Sequence, residues 1–137
     1  MTETKTVSTR DQLLFHLFVT ALEGGIGYWS QCSTYHNSRP DDNATPYQDD
    51  IFGFHAVIHE IDDESATFEE LPVHRIDRTV IAKGYRLATS KEWRNRLAWS
   101  SGEKPPFIVT ADTDWDFDAG DADMIVQLGL FGDVVYG

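Results

Sequence analysis

The feature that most constrains the fold is the junction TALEGGIGYWSQC at residues 20–32, where an apolar helical pattern meets an aromatic segment. Leu14, Phe18, Ala21 and Leu22 recur at a spacing of three to four residues, which places them on one face of a helix. The aromatic segment that follows has the composition of a strand. The junction therefore predicts a helix over residues 9–23 that is followed directly by a strand.

Both ends of this predicted helix carry capping signals. Ser8 or Thr9 can accept the free backbone N–H groups of the first turn, and Asp11 or Gln12 three residues later would complete a capping box. At the other end, the glycine pair at residues 24–25 is typical of a helix end, where glycine supplies a positive φ.

Three segments have the pattern of strands. Between residues 52 and 60, Phe52, Phe54, Ala56 and Ile58 fall on one face of a strand, and Gly53, His55, Val57 and His59 fall on the other. A loop rich in turn formers, residues 36–46, precedes it. We predict an antiparallel meander with strands over residues 28–35, 52–60 and 66–72.

The period changes to that of helices in the second half of the chain. Asp77 can cap a helix that extends to Ala88, and Ser90 can cap a second one that contains Trp93. A short apolar strand is predicted at residues 107–110, and a last helix over residues 119–131 with Asp118 as its cap.

No repeat or linker divides the chain, so we predict one domain over residues 1–137, with residues 1–8 as a disordered tail. The expected fold class is α+β: a small antiparallel sheet of three to four strands, covered by an N-terminal helix, a central helix pair and a C-terminal helix.

Acidic and basic residues are segregated along the chain, whose formal net charge is −12 at pH 7. Residues 41–70 contain ten acids and no Lys or Arg, residues 75–96 contain seven bases against two acids, and residues 103–137 contain eight acids against one base. A nucleic-acid-binding protein needs a basic surface that releases phosphate counterions. The overall charge therefore argues against a direct DNA or RNA partner. The basic segment either pairs with the flanking acids or meets one small anion.

Composition also predicts the compartment. No apolar run approaches the roughly 20 residues that span a bilayer, and the polar start MTETKTVSTRDQ lacks the order of a signal peptide. The single cysteine, Cys32, excludes an intrachain disulfide, and we expect it to be a small core residue. We therefore expect a cytoplasmic protein with no membrane partner.

Two stretches resemble a group of phage proteins. They are ALEGGIGYW at residues 21–29 and DAGDADMIVQLGLFGDVVYG at residues 118–137, with a looser match at IAKG, residues 81–84. Together they resemble a family of small, functionally unassigned proteins encoded by tailed bacteriophages, especially those of actinobacteria. The resemblance implies a phage accessory protein in the host bacterial cytoplasm, and it implies no catalytic residues.

The acidic run at residues 112–123 was compared with a calcium-binding loop. An EF-hand begun at its first Asp has oxygen ligands at positions one, three, five and twelve, but Phe117 replaces the glycine at position six. We therefore expect no tight calcium site. The alternative is a looser divalent site built from Asp114, Asp116 and Asp118.

Patterns for other metals and for nucleophilic catalysis are absent from the sequence. His55 and His59 would share one face of a strand but lie about 13 Å apart, which is too far for one metal ion. Cys32 and His36 could add ligands, but the sequence has neither CxxC nor HExxH, and neither GxSxG nor GxxxxGK[ST]. The sequence therefore favours a binding protein over an enzyme and predicts no cofactor.

Aromatic residues exceed the needs of a small core, and some of them stand beside features of a pocket. Tyr28 and Trp29 follow the glycines, and Trp115 precedes the last helix. A core role is the default for such rings. The functional alternative is a ligand-binding site in which these rings stack on a base and Lys83 and Arg86 hold its phosphates.

Two functional hypotheses follow. In the first, the protein sequesters a small nucleotide-type signal of bacterial immunity. In the second, its acidic surface inhibits a host protein by occupying a basic groove. Only the second should weaken steeply as salt is added. A homo-oligomer is compatible with either hypothesis.

Overall fold

The computed structural model describes residues 8–40, 47–61, 71–102, 104–106 and 116–137. It has the expected α+β architecture, with a three-stranded antiparallel sheet, a second sheet of two strands, and helices at the amino end, the centre and the carboxyl end. The elements in chain order are α1 (Thr9–Thr20), a π-helical turn (Ala21–Gly25), β1 (Ser30–His36), β2 (Ser38–Pro40), β3 (Tyr47–Asp49), β4 (His55–Glu60), β5 (Val73–Asp77), α2 (Arg78–Ala88), α3 (Lys91–Arg94) and α4 (Ala119–Phe131).

The larger sheet has the strand order β1-β4-β5. β1 pairs with β4 from Ser30 opposite Glu60 to His36 opposite His55, with a bulge near Ser33. The alternation predicted for the central strand is confirmed. Ala56 and Ile58 are fully buried, while their neighbours His55, Val57 and His59 are half-buried. Their face of the sheet, together with Ile76 of β5, contributes to the core.

Helix α1 is buried on most of its sides. Leu14, Leu17 and Phe18 are fully buried, and the ring of Phe18 packs on Phe54 at a centroid distance of 4.5 Å. The predicted capping box is confirmed: Ser8 accepts the N–H of Asp11, whose side chain accepts the N–H of Ser8 in return.

The end of α1 differs from the prediction. Neither glycine at residues 24–25 has a positive φ; the helix continues as a π-helical turn to Gly25 and is closed by Ile26 in ordinary backbone geometry. A Cβ on Gly25 would lie 2.6 Å from the carbonyl oxygen of Ala119. Glycine is therefore required there for close packing against α4 and not for a left-handed turn.

Two further predictions need correction. Cys32 is exposed and not part of the core, because β1 is an edge strand whose residues 31–35 all face solvent. The loop predicted over residues 36–46 contains a strand, since β2 pairs with β3.

The third strand of the sheet is β5, and the prediction of a strand over residues 66–72 did not locate it. Residues 62–70 lie outside the described residues, and positions 71 and 72 are not in a strand. The predicted strand at residues 107–110 also lies outside the described part of the chain.

The second half of the chain follows the predicted capping. Asp77 accepts the N–H of Val80 at the start of α2, and Ser90 accepts that of Trp93 at the start of α3. Asp118 and Asp121 form a capping box at the start of α4, which ends at Gly132 in the left-handed conformation. Among the described residues, no helix is long and apolar enough to cross a membrane.

Helices α2 and α4 approach each other through two glycines. A Cβ on Gly84 would lie 1.9 Å from the carbonyl oxygen of Ile125, and one on Gly129 would lie 2.2 Å from the carbonyl oxygen of Val80. The two backbones are therefore closer than any side chain would permit. This explains why a residue of low helix propensity stands inside each helix.

We expect Gly84→Ala to lower the free energy of unfolding by about 1–3 kcal/mol or more, since the added methyl group meets backbone atoms that cannot rotate away. Gly27→Ala is the matched control, because its Cβ would meet nothing within 4 Å. Urea unfolding should show a change within about 0.5 kcal/mol for the control. Equal stability of the two variants would contradict the close crossing of α2 and α4.

Candidate functional site

The stretches at residues 21–29 and 118–137 meet in space on one side of α4. The hydroxyl of Tyr28 donates to Oδ2 of Asp123 at 2.6 Å, and the indole Nε1 of Trp29 donates to Oδ1 at 2.8 Å. Gln127, one turn further along α4, donates from Nε2 to Oδ1 at 2.9 Å. The buried carboxylate of Asp123 therefore joins residues that are nearly a hundred positions apart in the chain.

Trp29 belongs to the core. It is only 2 % exposed, the ring of Tyr136 stacks on it at a centroid distance of 4.9 Å, and Phe131 packs on it at 5.7 Å. Its ring and its N–H group are thus both engaged within the protein. A nucleotide base could stack on this ring only if Tyr136 moved away.

Gln127 holds the segment after α4 in place. Its Oε1 accepts the backbone N–H groups of Val135 and Tyr136, each at 2.8 Å, and its Nε2 also lies 3.3 Å from the carbonyl oxygen of Tyr136. A primary amide offers two donors and one carbonyl acceptor, and here both ends are used. Because Gln127 is fully buried, these bonds satisfy groups that would otherwise be costly to bury.

The network continues to the end of the sheet. The hydroxyl of Tyr136 donates to Oε1 of Glu60, and Oε2 of Glu60 lies 2.7 Å from Nε2 of His74. Although burial acts to raise it, the hydrogen bonds from His74 and Tyr136 hold the pKa of Glu60 below its ordinary value. The described network therefore runs from the two aromatic residues that precede β1 across α4 to β4 and β5.

Tyr28 is the solvent-exposed member of the network. Its side chain is 57 % exposed, whereas its hydroxyl points at the buried Asp123. Burial of that end of the side chain, together with the adjacent carboxylate, raises the pKa of Tyr28 to about 12. The phenol is therefore a neutral donor throughout the physiological range.

The predicted cations lie elsewhere. Lys83 and Arg86 are exposed on the outer stripe of α2. On α4, the residues that face α2 are Ile125 and Gly129. At about 100° per residue, they are displaced by about 200° from Asp123 and Gln127, which face the aromatic junction.

The structure thus brings Tyr28 and Trp29 together with α4 but does not bring Lys83 and Arg86 to them. Trp115, the remaining predicted ligand-binding residue, lies outside the described residues. The predicted site is therefore divided between two sides of α4 in the part of the chain that the structure describes.

Sequence reasoning missed Asp123, Gln127, Tyr136 and Glu60 as members of the network. One local signal was present: Asp123 and Gln127 are polar residues four apart, and the other residues of α4 after its first turn are apolar or glycine. Such a pair shares one face and needs buried partners. The contacts of Tyr136 and Glu60 depend on tertiary structure and leave no local pattern.

Two members of the acidic run, Asp118 and Asp121, cap α4. Oδ1 of Asp121, which is fully buried, accepts the N–H of Ser100 at 2.8 Å, and Ser101 donates to Oδ2. Within the described ranges, no group of three or more His, Cys, Asp or Glu is arranged to hold a metal ion. Asp112 and Asp114, on which the calcium comparison depended, are not among the described residues.

Comparison with known proteins gives no relative from which a role could be transferred. No protein-family model, curated protein or solved structure matches the chain. Functional inference therefore depends on the contacts and charges of the chain itself.

We expect Asp123→Asn to lower the pKa of Tyr28 from about 12 toward the ordinary value of about 10, because the variant lacks the charge that opposes phenolate formation. Because the pKa of Tyr28 is higher in the folded than in the unfolded chain, its protonated form stabilises the folded state below pH about 10. This contribution to the free energy of unfolding is lost as pH rises through about 12. NMR titration of ring-labelled tyrosine measures the shift. Tyr28→Phe identifies the resonance, and titration of Tyr28 near its ordinary value in the parent protein would contradict the contact.

Proposed function

We propose that the chain is a phage accessory protein that acts in the host cytoplasm by binding a host protein and occupying a basic surface on it. The observation that carries the proposal is charge segregation. The chain has 23 acids against 11 Lys and Arg residues, so 12 negative charges (23 − 11) are not neutralised by Lys or Arg, and the acids are concentrated at residues 41–70 and 103–137. Charges of this number are stable only in water or against a cationic partner.

The ion pairs among the described residues support segregation over internal neutralisation. Those that involve arginine join Arg75 to Asp77, Arg96 to Glu92, and Arg78 to Asp11. The first two pairs lie within the basic segment itself. Lys83 and Arg86 make no ion pair with another described residue. Among the described residues, none of these arginine pairs reaches the acidic segments at residues 41–70 and 103–137.

The alternative, sequestration of a nucleotide-type signal, requires an aromatic ring and cations in one pocket. Trp29 is enclosed by Tyr136 and Phe131, while Lys83 and Arg86 stand on α2 beyond the opposite side of α4. This arrangement favours the protein-binding hypothesis. The phage setting comes from the resemblance of residues 21–29 and 118–137 to phage proteins. In the folded chain these two stretches are in contact.

The proposal predicts a salt-sensitive complex. The tagged chain is purified from phage-infected host cells, and its partner is identified and produced separately, so that the complex can be rebuilt from pure components. The Debye length falls from about 10 Å at 0.1 M salt to about 3 Å at 1 M, so the association rate should fall at least about tenfold. Neutralising Asp62, Asp63 and Glu64 together should also lower the association rate.

The matched control neutralises cations in place of acids. The double variant Lys83→Gln and Arg86→Gln should leave the complex intact. These exposed side chains belong to the basic segment, which the proposal does not use for binding. Two results would contradict the proposal: an association rate that salt does not change, or native mass spectrometry that finds a retained nucleotide lost in the Lys83 and Arg86 variant. The second result would support the nucleotide hypothesis.

A further inference from the structure

Exposed apolar side chains are concentrated at one end of the molecule. Five large hydrophobic residues are exposed among the described residues, and we name four of them the apolar patch: Tyr28 at 57 %, Ile61 at 41 %, Val73 at 53 % and Val135 at 57 %. The fifth, Tyr35, lies near the other end of β1, where its ring contacts Phe18. Single exposed apolar residues are ordinary, but a local group of them marks an interaction surface.

Backbone pairing places the four residues together. The N–H of Ile61 donates to the carbonyl oxygen of Trp29 at 2.9 Å, which sets Ile61 beside the residue that follows Tyr28. Val73, the first residue of β5, is paired with His59, which stands two residues before Ile61. Ile61 and Val73 thus occupy neighbouring strand ends on the sheet.

The other half of the patch is fixed by the buried network. Gln127 receives the N–H of Val135 at 2.8 Å, and its Nε2 lies 3.4 Å from the hydroxyl of Tyr28. Tyr136, between Val135 and the last residue, stacks on Trp29 and donates to Glu60. Val135 therefore faces outward because its neighbour is held inward.

This support makes the patch pre-organised. Tyr28 is bonded through its hydroxyl to Asp123, and Val135 through its N–H to Gln127, both of them buried. Ile61 and Val73 are held by backbone pairing in the sheet. A rigid apolar surface loses little conformational entropy when it is covered by a partner. The rigidity is the property expected of a binding surface.

The charged residues that neighbour the patch residues in the sequence are mostly negative. Asp133 is exposed two residues before Val135, Glu60 directly precedes Ile61, and Asp62, Asp63 and Glu64 directly follow it in the sequence. Arg75, two residues after Val73, is directed to Asp77. A partner that covers this surface must therefore bring positive charge around an apolar centre.

We propose that the apolar patch of Tyr28, Ile61, Val73 and Val135 is the docking surface for a cationic protein segment that inserts apolar side chains between its basic residues. This inference rests on the proposed function and adds to it the place of contact and the chemistry of the contacting segment. The acids guide the approach, and the patch supplies the contact that salt does not weaken.

The test uses three synthetic peptides and the full chain. The parent peptide is a helix former with Leu on one face and Lys on the other; the second has Ser in place of Leu, and the third has Glu in place of Lys. Binding is measured by fluorescence anisotropy. We expect the parent peptide to bind, and both changed peptides to bind at least about tenfold more weakly.

Protein variants locate the contact. Val135→Ser and Ile61→Ser should each weaken binding of the parent peptide about tenfold, since each removes one exposed apolar side chain from the contact. Tyr35→Ser is the matched control for an exposed apolar residue outside the patch, and Lys83→Gln is the control for the basic face. Both controls should bind as the parent protein does, and thermal unfolding monitored by circular dichroism checks that each variant is folded.

Three results would overturn the docking surface. They are the absence of binding by the parent peptide, parent-like binding by the Val135 and Ile61 variants, and equal binding by the Glu peptide. Equal binding by the Ser peptide would also overturn it, because charge alone would then explain the contact. None of these results bears on the salt-sensitive complex with a host protein, so the docking surface and the proposed function can fail separately.

Discussion

The carboxylate of Asp123 is the group on which the arrangement of the chain depends. A buried carboxylate costs several kcal/mol unless its oxygens are satisfied, and here Tyr28, Trp29 and Gln127 all donate to it. These donors come from opposite ends of the chain. The bonds that satisfy the charge therefore fix the junction after α1 against α4. Gln127, one of the donors, also holds the segment after α4 through the N–H groups of Val135 and Tyr136.

Helix α4 is the central element because both of its sides pack against other parts of the chain. One side carries Asp123 and Gln127, and the other carries Gly129, which brings its backbone against that of Val80 in α2. A helix that is buried nearly all round has no polar stripe from which its orientation could be derived. Its ends were nevertheless predictable, since the Asp118 capping box and the left-handed Gly132 are local signals.

Prediction succeeded where local chemistry decides the structure and failed where neighbours do. The α+β class, α2 with its Asp77 cap, and the alternation around Ile58 follow from spacing alone. The position of β5 does not, because its pattern of one fully buried residue, Ile76, is weak in sequence. The exposure of Cys32 and the packing of Gly25 on Ala119 likewise depend on which element lies opposite.

The candidate site shows the same division. The sequence identified the glycine-aromatic junction as unusual, and the unusual residues are there, but Trp29 serves the core while Tyr28 beside it remains exposed. No local pattern distinguishes two adjacent aromatic residues in this way. The distinction arises because Tyr136 covers one ring and Asp123 binds only the hydroxyl of the other. The exposure of Tyr28, Val135, Ile61 and Val73 is the observation from which the docking surface is proposed, since exposed apolar residues that lie together mark an interaction surface.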